Sequence, residues 1–239
     1  LAAGKNATVT GTTSADELTI HSGADTKLGE VKAGSADLTA ANVILSDALT
    51  AVTLTARTTG DFTAQKNVTA DSADIITGSD ITVSGNLTGG DLDLTAGKNA
   101  TVTGTTSGDA VTVASGADTN LTDVKVETLN ATAGGSITTD AITAQTADLS
   151  ASGDVTANGA LTANELSIAS GANITAQDIT ADKAEMTASG DVTANGDLTG
   201  GTFDLAAERG SVTLANADVE TLNAAAGADL TAENITVID

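Results

Sequence analysis

His21 is the only imidazole in this chain, and there is no cysteine. A histidine cluster, thiol catalysis and Cys-based zinc or iron–sulfur sites are therefore excluded. What remains is oxygen chemistry, from 32 acidic side chains and a large stock of Thr, Ser and Asn. Asp91 and Asp93 flank Leu92, so on a strand both carboxylates point outward on one side. Paired carboxylates can do general acid–base work, but any acidic strand has this geometry. A catalytic site would also need other groups converging on it, and the expectation is that the chain is not an enzyme.

Calcium is the ion that hard oxygen ligands would favour. The glycine-rich calcium-roll nonapeptide is absent, because Gly89-Gly90-Asp91-Leu92-Asp93 lacks its third glycine. No cofactor is expected, with calcium the one candidate. Eight Asn-x-Thr sequons, at Asn6, Asn67, Asn86, Asn99, Asn120, Asn130, Asn173 and Asn234, are candidate glycosylation acceptors. Thr-x-Thr pairs such as Thr8-Val9-Thr10, Thr53-Leu54-Thr55 and Thr101-Val102-Thr103 are the unit of an ice-binding face. Such a face needs the pair in nearly every coil, and here it is sporadic.

The elements that would position these groups come from a repeat. Gly153-Asp-Val-Thr-Ala157 returns as Gly171-Ala-Asn-Ile-Thr175 and Gly190-Asp-Val-Thr-Ala194. A fixed short period is the mark of a stacked solenoid. Taking the aliphatic or Phe after each turn as anchor gives Val9, Leu28, Ile44, Phe62, Ile81, Val102, Leu121, Ile137, Val155, Ile174, Val192, Val212 and Leu230. The spacings never exceed 21 residues and average 18.4, which leaves no room for the long loops of carbohydrate-active β-helices. A longer period lies on top: Ala3–Ser14 returns at Ala96–Ser107, and Val126–Ala131 at Val219–Ala224, each 93 residues on. A block of five coils has been duplicated.

Each coil predicts three short strands and three corners. In the coil from Gly190, Val192 and Ala194 face inward, then Leu198, then Phe203 and Leu205, with Asn195-Gly196 and Gly200-Gly201 as the turns. Helix is not expected, because no apolar i, i+3, i+4 pattern is sustained. The predicted fold is all-β: a right-handed parallel β-helix, a three-faced solenoid of about 13 coils of 18–19 residues, forming one repeat domain over residues 1–239. Phe62 and Phe203, the only aromatics, belong in its thin core. Just before the anchors a polar column is expected outside: Asn120, Ser136, Asp154, Asn173, Asp191, Ser211 and Asp229. Neutral Asn and Ser separate most of its aspartates, which limits repulsion across strands about 4.8 Å apart.

The net charge of −23 would repel phosphates and anionic lipid, so neither nucleic acid nor membrane insertion is expected. No run of 18 apolar residues exists. Val, Ile and Leu alternating with Thr argue for a pleated, half-buried surface over disorder. Leu1 is not an initiator Met, and Leu1-Ala-Ala-Gly4 and Ile235–Asp239 both read as mid-repeat. The chain is therefore expected to be a segment of a longer shaft.

Rungs of the type G-[DNS]-[VIL]-T-A…L-T…L-x-L, with phrases such as Leu94-Thr-Ala-Gly-Lys-Asn-Ala-Thr101 and Ser152-Gly-Asp-Val-Thr-Ala-Asn-Gly159, resemble the repeats of the filamentous haemagglutinin family. Those are large exoproteins of two-partner secretion systems, and the resemblance covers essentially the whole chain. It implies a parallel β-helix, export to the cell surface or medium, and a structural or adhesive role. The family's secretion domain and any effector domain have no counterpart in these residues. Expected partners are flanking repeats or other copies stacked end to end, and a host or neighbouring cell surface. The alternatives are a calcium- or carbohydrate-binding β-helical module and, further off, a β-helical polysaccharide-active enzyme.

Overall fold

The computed structural model describes residues 1–237, and Ile238 and Asp239 lie outside it. The described residues are strands joined by short turns, with no helix, and the strands pair in parallel from one turn to the next. This is the parallel β-solenoid that the repeat predicts. The chain divides into two compact units, 1–122 and 123–239, where the sequence reads as one repeat domain.

One turn of the first unit shows the build. Phe62–Ala64 forms the first arm, Gln65, Lys66 and Asn67 turn the chain, and Val68–Thr77 supplies the second and third arms. Strand register is kept from Val68 to Ala70 and from Ser72 to Thr77, but skips Asp71, which is the corner between those two arms. Gly78, Ser79 and Asp80 then lead to Ile81, which pairs with Phe62. Alternation sends seven side chains inward: Phe62, Ala64, Val68, Ala70, Ala73, Ile75 and Thr77, all buried. Fully burying one of the larger aliphatics stabilises by about 1.5–3 kcal/mol. With so thin an interior, that contribution must recur in every turn.

The second unit repeats the plan. Val155–Ala157 is a first arm, and Leu161–Ser170 carries the next two around a corner at Asn164. Large side chains are accommodated by small neighbours. Phe203 stacks between Ala184 and Leu222, and Phe62 sits two residues from Ala64. Both phenylalanines are completely buried, as the sequence requires. Among the described residues Gly200 is the one with positive φ, at +136°. A Cβ there would run into the Ala181 carbonyl of the preceding turn, so both conformation and space demand glycine.

The register corrects part of the sequence reading. Each first arm turns two positions inward, two residues apart, and both are buried in the interior turns. The earlier one is filled by Ala7, Thr26, Val43, Phe62, Ile81 and Ala100 in the first unit. In the second it is filled by Ile137, Val155, Ile174, Val192, Val212 and Leu230. Val9, Leu28 and Val102 belong to the later column, and Ile44 belongs to neither. Ile44 faces outward between buried Val43 and Leu45. The corrected spacings run from 17 to 19 residues in the first unit, tighter than the apparent 16 to 21.

Candidate functional site

The polar side chains are organised in columns, because equivalent positions stack at the strand spacing of about 4.8 Å. Among these the residues that open each first arm form a hydrogen-bonded ladder. In the second unit Ser136, Asp154, Asn173, Asp191, Ser211 and Asp229 are joined turn by turn. Asp154 N donates to Ser136 Oγ at 3.1 Å, Asn173 N to Asp154 Oδ1 at 2.9 Å, and Asp191 N to Asn173 Oδ1 at 2.8 Å. Ser211 N donates to Asp191 Oδ1 at 2.7 Å, and Asp229 N to Ser211 Oγ at 3.3 Å. From Ser136 to Ser211 each side chain thus satisfies a turn N–H that the sheets leave unpaired.

Asn120 stands outside this ladder. It lies between buried Thr119 and Leu121, two residues past the true column member, Asp118, whose N–H donates to Asn99 Oδ1 at 3.1 Å. The misplacement has a physical cause. Thr119 fills the first buried position, where an aliphatic anchor was expected, so the apparent anchor moved on to Leu121. The first-unit ladder missed by the sequence reading runs Asn6, Asp25, Asn42, Asp61, Asp80, Asn99, Asp118. Its signal was available as an Asx three residues before each Leu28- or Val102-type position.

Buried hydroxyls form a second device that sequence reasoning did not find. Ser115 Oγ donates to the Ala117 carbonyl at 3.0 Å and shares a 2.8 Å hydrogen bond with Thr119 Oγ1. Ser22 and Thr26 make the same pair at 2.9 Å, 93 residues earlier. Thr58 and Thr77 bond the carbonyls of Gly60 and Ser79 in the same way. These hydroxyls close the corner after the third arm by binding carbonyls that water would otherwise solvate. Thr106 Oγ1 is the exception: it is buried in the column of Val68 and Leu87 with no partner among the described residues.

The structure sorts the sequons. The amide nitrogens of Asn99 and Asn173 donate to Asp80 and Asp154, and that of Asn234 donates to Asn216. Asn6, Asn67 and Asn86 accept backbone N–H groups through Oδ1. The side chains of Asn120 and Asn130 are exposed. The Thr-x-Thr pairs are on different faces, Thr8 and Thr101 on first arms and Thr53 and Thr55 on a third arm.

Carboxylates are spread over the surface. Asp91 and Asp93 are exposed on a third arm, where Asp93 pairs with Asp74 in a shallow depression shared with Ser72 and Thr112. Asp74 is engaged by Arg57 at 2.7 Å. Among the described residues no group of three or more His, Asp or Glu is placed to hold a metal ion. His21 is exposed and pairs along the sheet with Ala2 and Thr39. The acidity of Glu30 is displaced. Hydrogen bonds from Lys32, at 2.6 Å, and from Thr12, at 2.9 Å, hold its carboxyl below the usual range. No helix of the described residues is long and apolar enough to cross a membrane.

Fold and surface together define the class: a parallel β-solenoid with an acidic, ladder-bearing exterior. Comparison with protein-family models, with curated proteins and with solved structures found no match.

Proposed function

We propose that this chain is a non-enzymatic structural or adhesive protein of the exported, filamentous haemagglutinin-like type, acting at a cell surface. The observation that carries this reading is the continuity of the columns. Turn after turn, the outward positions are filled by small polar or acidic side chains in register with one another. Thr138, Thr156, Thr175, Thr193, Thr213 and Thr231 form one such run, adjacent to the Ser–Asp–Asn ladder. Chemistry needs a local break in regularity where groups converge, whereas adhesion and surface coating use a repeated surface, each unit adding weak contacts that sum by multivalency.

Beads coated with the purified chain test the proposal. Expected are clumping or attachment to cells in proportion to coating density, loss of attachment on dilution of the coat, and labelling of intact source cells by antibody against the chain. Saturable binding of one glycan or of calcium by the soluble chain would instead support a binding module. Turnover of a polysaccharide would overturn the reading outright.

A further inference from the structure

We propose that Asn195-Gly196 is a site of spontaneous covalent modification, at which the folded chain converts an outward amide into a carboxylate. The chemistry needs only water. The Gly196 backbone nitrogen gives up its proton and attacks the Asn195 side-chain carbonyl carbon, so that a C–N bond forms. The bond from that carbon to Nδ2 breaks, and Nδ2 leaves with the proton as ammonia. Water then opens the resulting succinimide at either carbonyl, giving aspartate or isoaspartate. A following glycine favours ring closure, since it has no Cβ to hinder the attack and the widest choice of backbone angles. Among the asparagines of this chain only Asn158 and Asn195 precede a glycine.

The two sites form a matched pair that the fold treats differently. Both read Thr-Ala-Asn-Gly, at Thr156–Gly159 and Thr193–Gly196. Both lie at the corner between first and second arms, with the asparagine exposed and the glycine half-buried. Both have an aspartate in the turn beneath, Asp140 or Asp178, so local charge does not separate them. The hydrogen bonds do. Asn158 N donates to the Thr139 carbonyl at 2.8 Å, and Gly159 N to the Asp140 carbonyl at 2.7 Å. The attacking nitrogen of Gly159 is therefore held, its proton engaged and its peptide plane fixed. At the other corner the hold falls one residue later, where Asp197 N donates to Asp178 Oδ1 at 2.9 Å. Strand register against the following turn breaks between Ala194 and Asp197, and Gly196 sits inside that break.

Two further features keep the site reactive and its product folded. Gly196 is fixed by packing, because a Cβ there would run into Asp178 Oδ1 and lie 2.7 Å from Asp178 N. A bulkier residue that would slow ring closure is thus disfavoured. Isoaspartate adds one atom to the main chain, and this corner already takes either of two lengths. From the first buried position to the second arm is five residues in Thr26–Val31 and Ile174–Ile179, and six in the turns stacked on them, Val43–Leu49 and Val192–Leu198. The new carboxylate stands close to Asp197 and Asp178, so each conversion makes an acidic corner more acidic. The modification does not depend on what the surface adheres to.

The test compares the two sites within one molecule. The full chain is incubated in mildly alkaline buffer, folded and in concentrated urea, and its peptides are followed by mass spectrometry. Conversion is read as the mass gained when an amide becomes a carboxylate, with isoaspartate distinguished by electron-transfer fragmentation. Expected in the folded chain is conversion at Asn195 about three- to tenfold faster than at Asn158, the factor that one net hydrogen bond supplies. In urea the two Thr-Ala-Asn-Gly contexts should convert at equal rates, and Asn195→Gln should remove the reaction at that position. Asn158 converting as fast as Asn195 in the folded chain overturns the proposal. So does a rate ratio that persists in urea, since that assigns the difference to sequence alone, and so does a folded chain in which neither site changes while both convert in urea.

Discussion

Ile44 and Ile137 occupy the same place in the 93-residue duplication and opposite sides of the wall. Ile137 is completely buried and pairs with Val155. Ile44 faces outward, while Val43 takes the buried place beside Phe62. The difference lies in the neighbours. Val43-Ile44-Leu45 offers three aliphatics to an arm with two inward positions, and burying Val43 and Leu45 hides two of them. Ser136-Ile137-Thr138-Thr139 offers one, so Ile137 goes in, Thr139 accompanies it, and Ser136 joins the ladder. A one-residue slip reverses every side chain of an arm. The duplicated blocks thus keep their period while one arm has changed faces.

The sharpest way to break this comparison is a charge. Ile137→Asp should cost several kcal/mol, since it buries an unpaired carboxylate, whereas Ile44→Asp should leave the denaturation midpoint almost where it was. Equal losses from the two variants would mean that Ile44 is a core residue. Truncation gives the next effect in size. Leu45→Ala should destabilise by about 2–5 kcal/mol and Ile44→Ala by less than about 1 kcal/mol, measured by urea unfolding.

Thr106→Val should stabilise the chain, by about 1–3 kcal/mol, because it replaces an unpartnered buried hydroxyl by an isosteric methyl. A fall in the melting temperature would show that Thr106 has a partner after all. The ladder offers a finer contrast between the units. Asp154 Oδ1 accepts both the backbone N–H and the side-chain amide of Asn173, whereas Asp61 Oδ1 accepts only the N–H of Asp80. Asp154→Ala should cost about 0.5–1.5 kcal/mol per hydrogen bond lost and therefore more than Asp61→Ala.

The smallest effect is electrostatic and confined to the first unit. Glu30 has its acidity displaced downward by Lys32 and Thr12. A carboxyl lowered in the folded state stabilises above its unfolded pKa, and that contribution disappears as pH falls through the folded value. In a Lys32→Ala variant the Glu30 titration, followed by NMR, should move up toward the ordinary carboxylate range. An unmoved titration would assign the displacement to Thr12 alone.

The period, the parallel stacking and the buried phenylalanines were legible because Val, Ile, Leu and Phe mark inward positions in nearly every coil. The second-unit ladder was legible for the same reason, an aliphatic following each of Ser136, Asp154, Asn173, Asp191, Ser211 and Asp229. The first unit was harder to read. Its leading buried column includes Ala7, Thr26, Ala100 and Thr119, none of which carries an apolar signal strong enough to outcompete Val9, Leu28, Val102 and Leu121 two residues on. A buried Thr is favourable here only because Ser22 or Ser115 supplies a hydroxyl across the corner. That pairing depends on contacts between residues four apart around a bend, which strand alternation alone does not reveal.

The corner between first and second arms, which accepts five residues or six between its flanking buried positions, bears on how such a chain changes over generations. The irregularity between Ala194 and Asp197, where Val192–Leu198 meets Val212–Ala217, shows the length difference absorbed on the spot, with pairing intact on either side. A codon gained or lost there alters one turn and leaves the phase of every later coil untouched. Elsewhere along an arm the same event would turn the inner wall outward until a second event restored it. Heritable length variation should therefore collect at this corner, and the outward residues beside it, such as Asn195 and Asp197, are where the surface can be rewritten fastest.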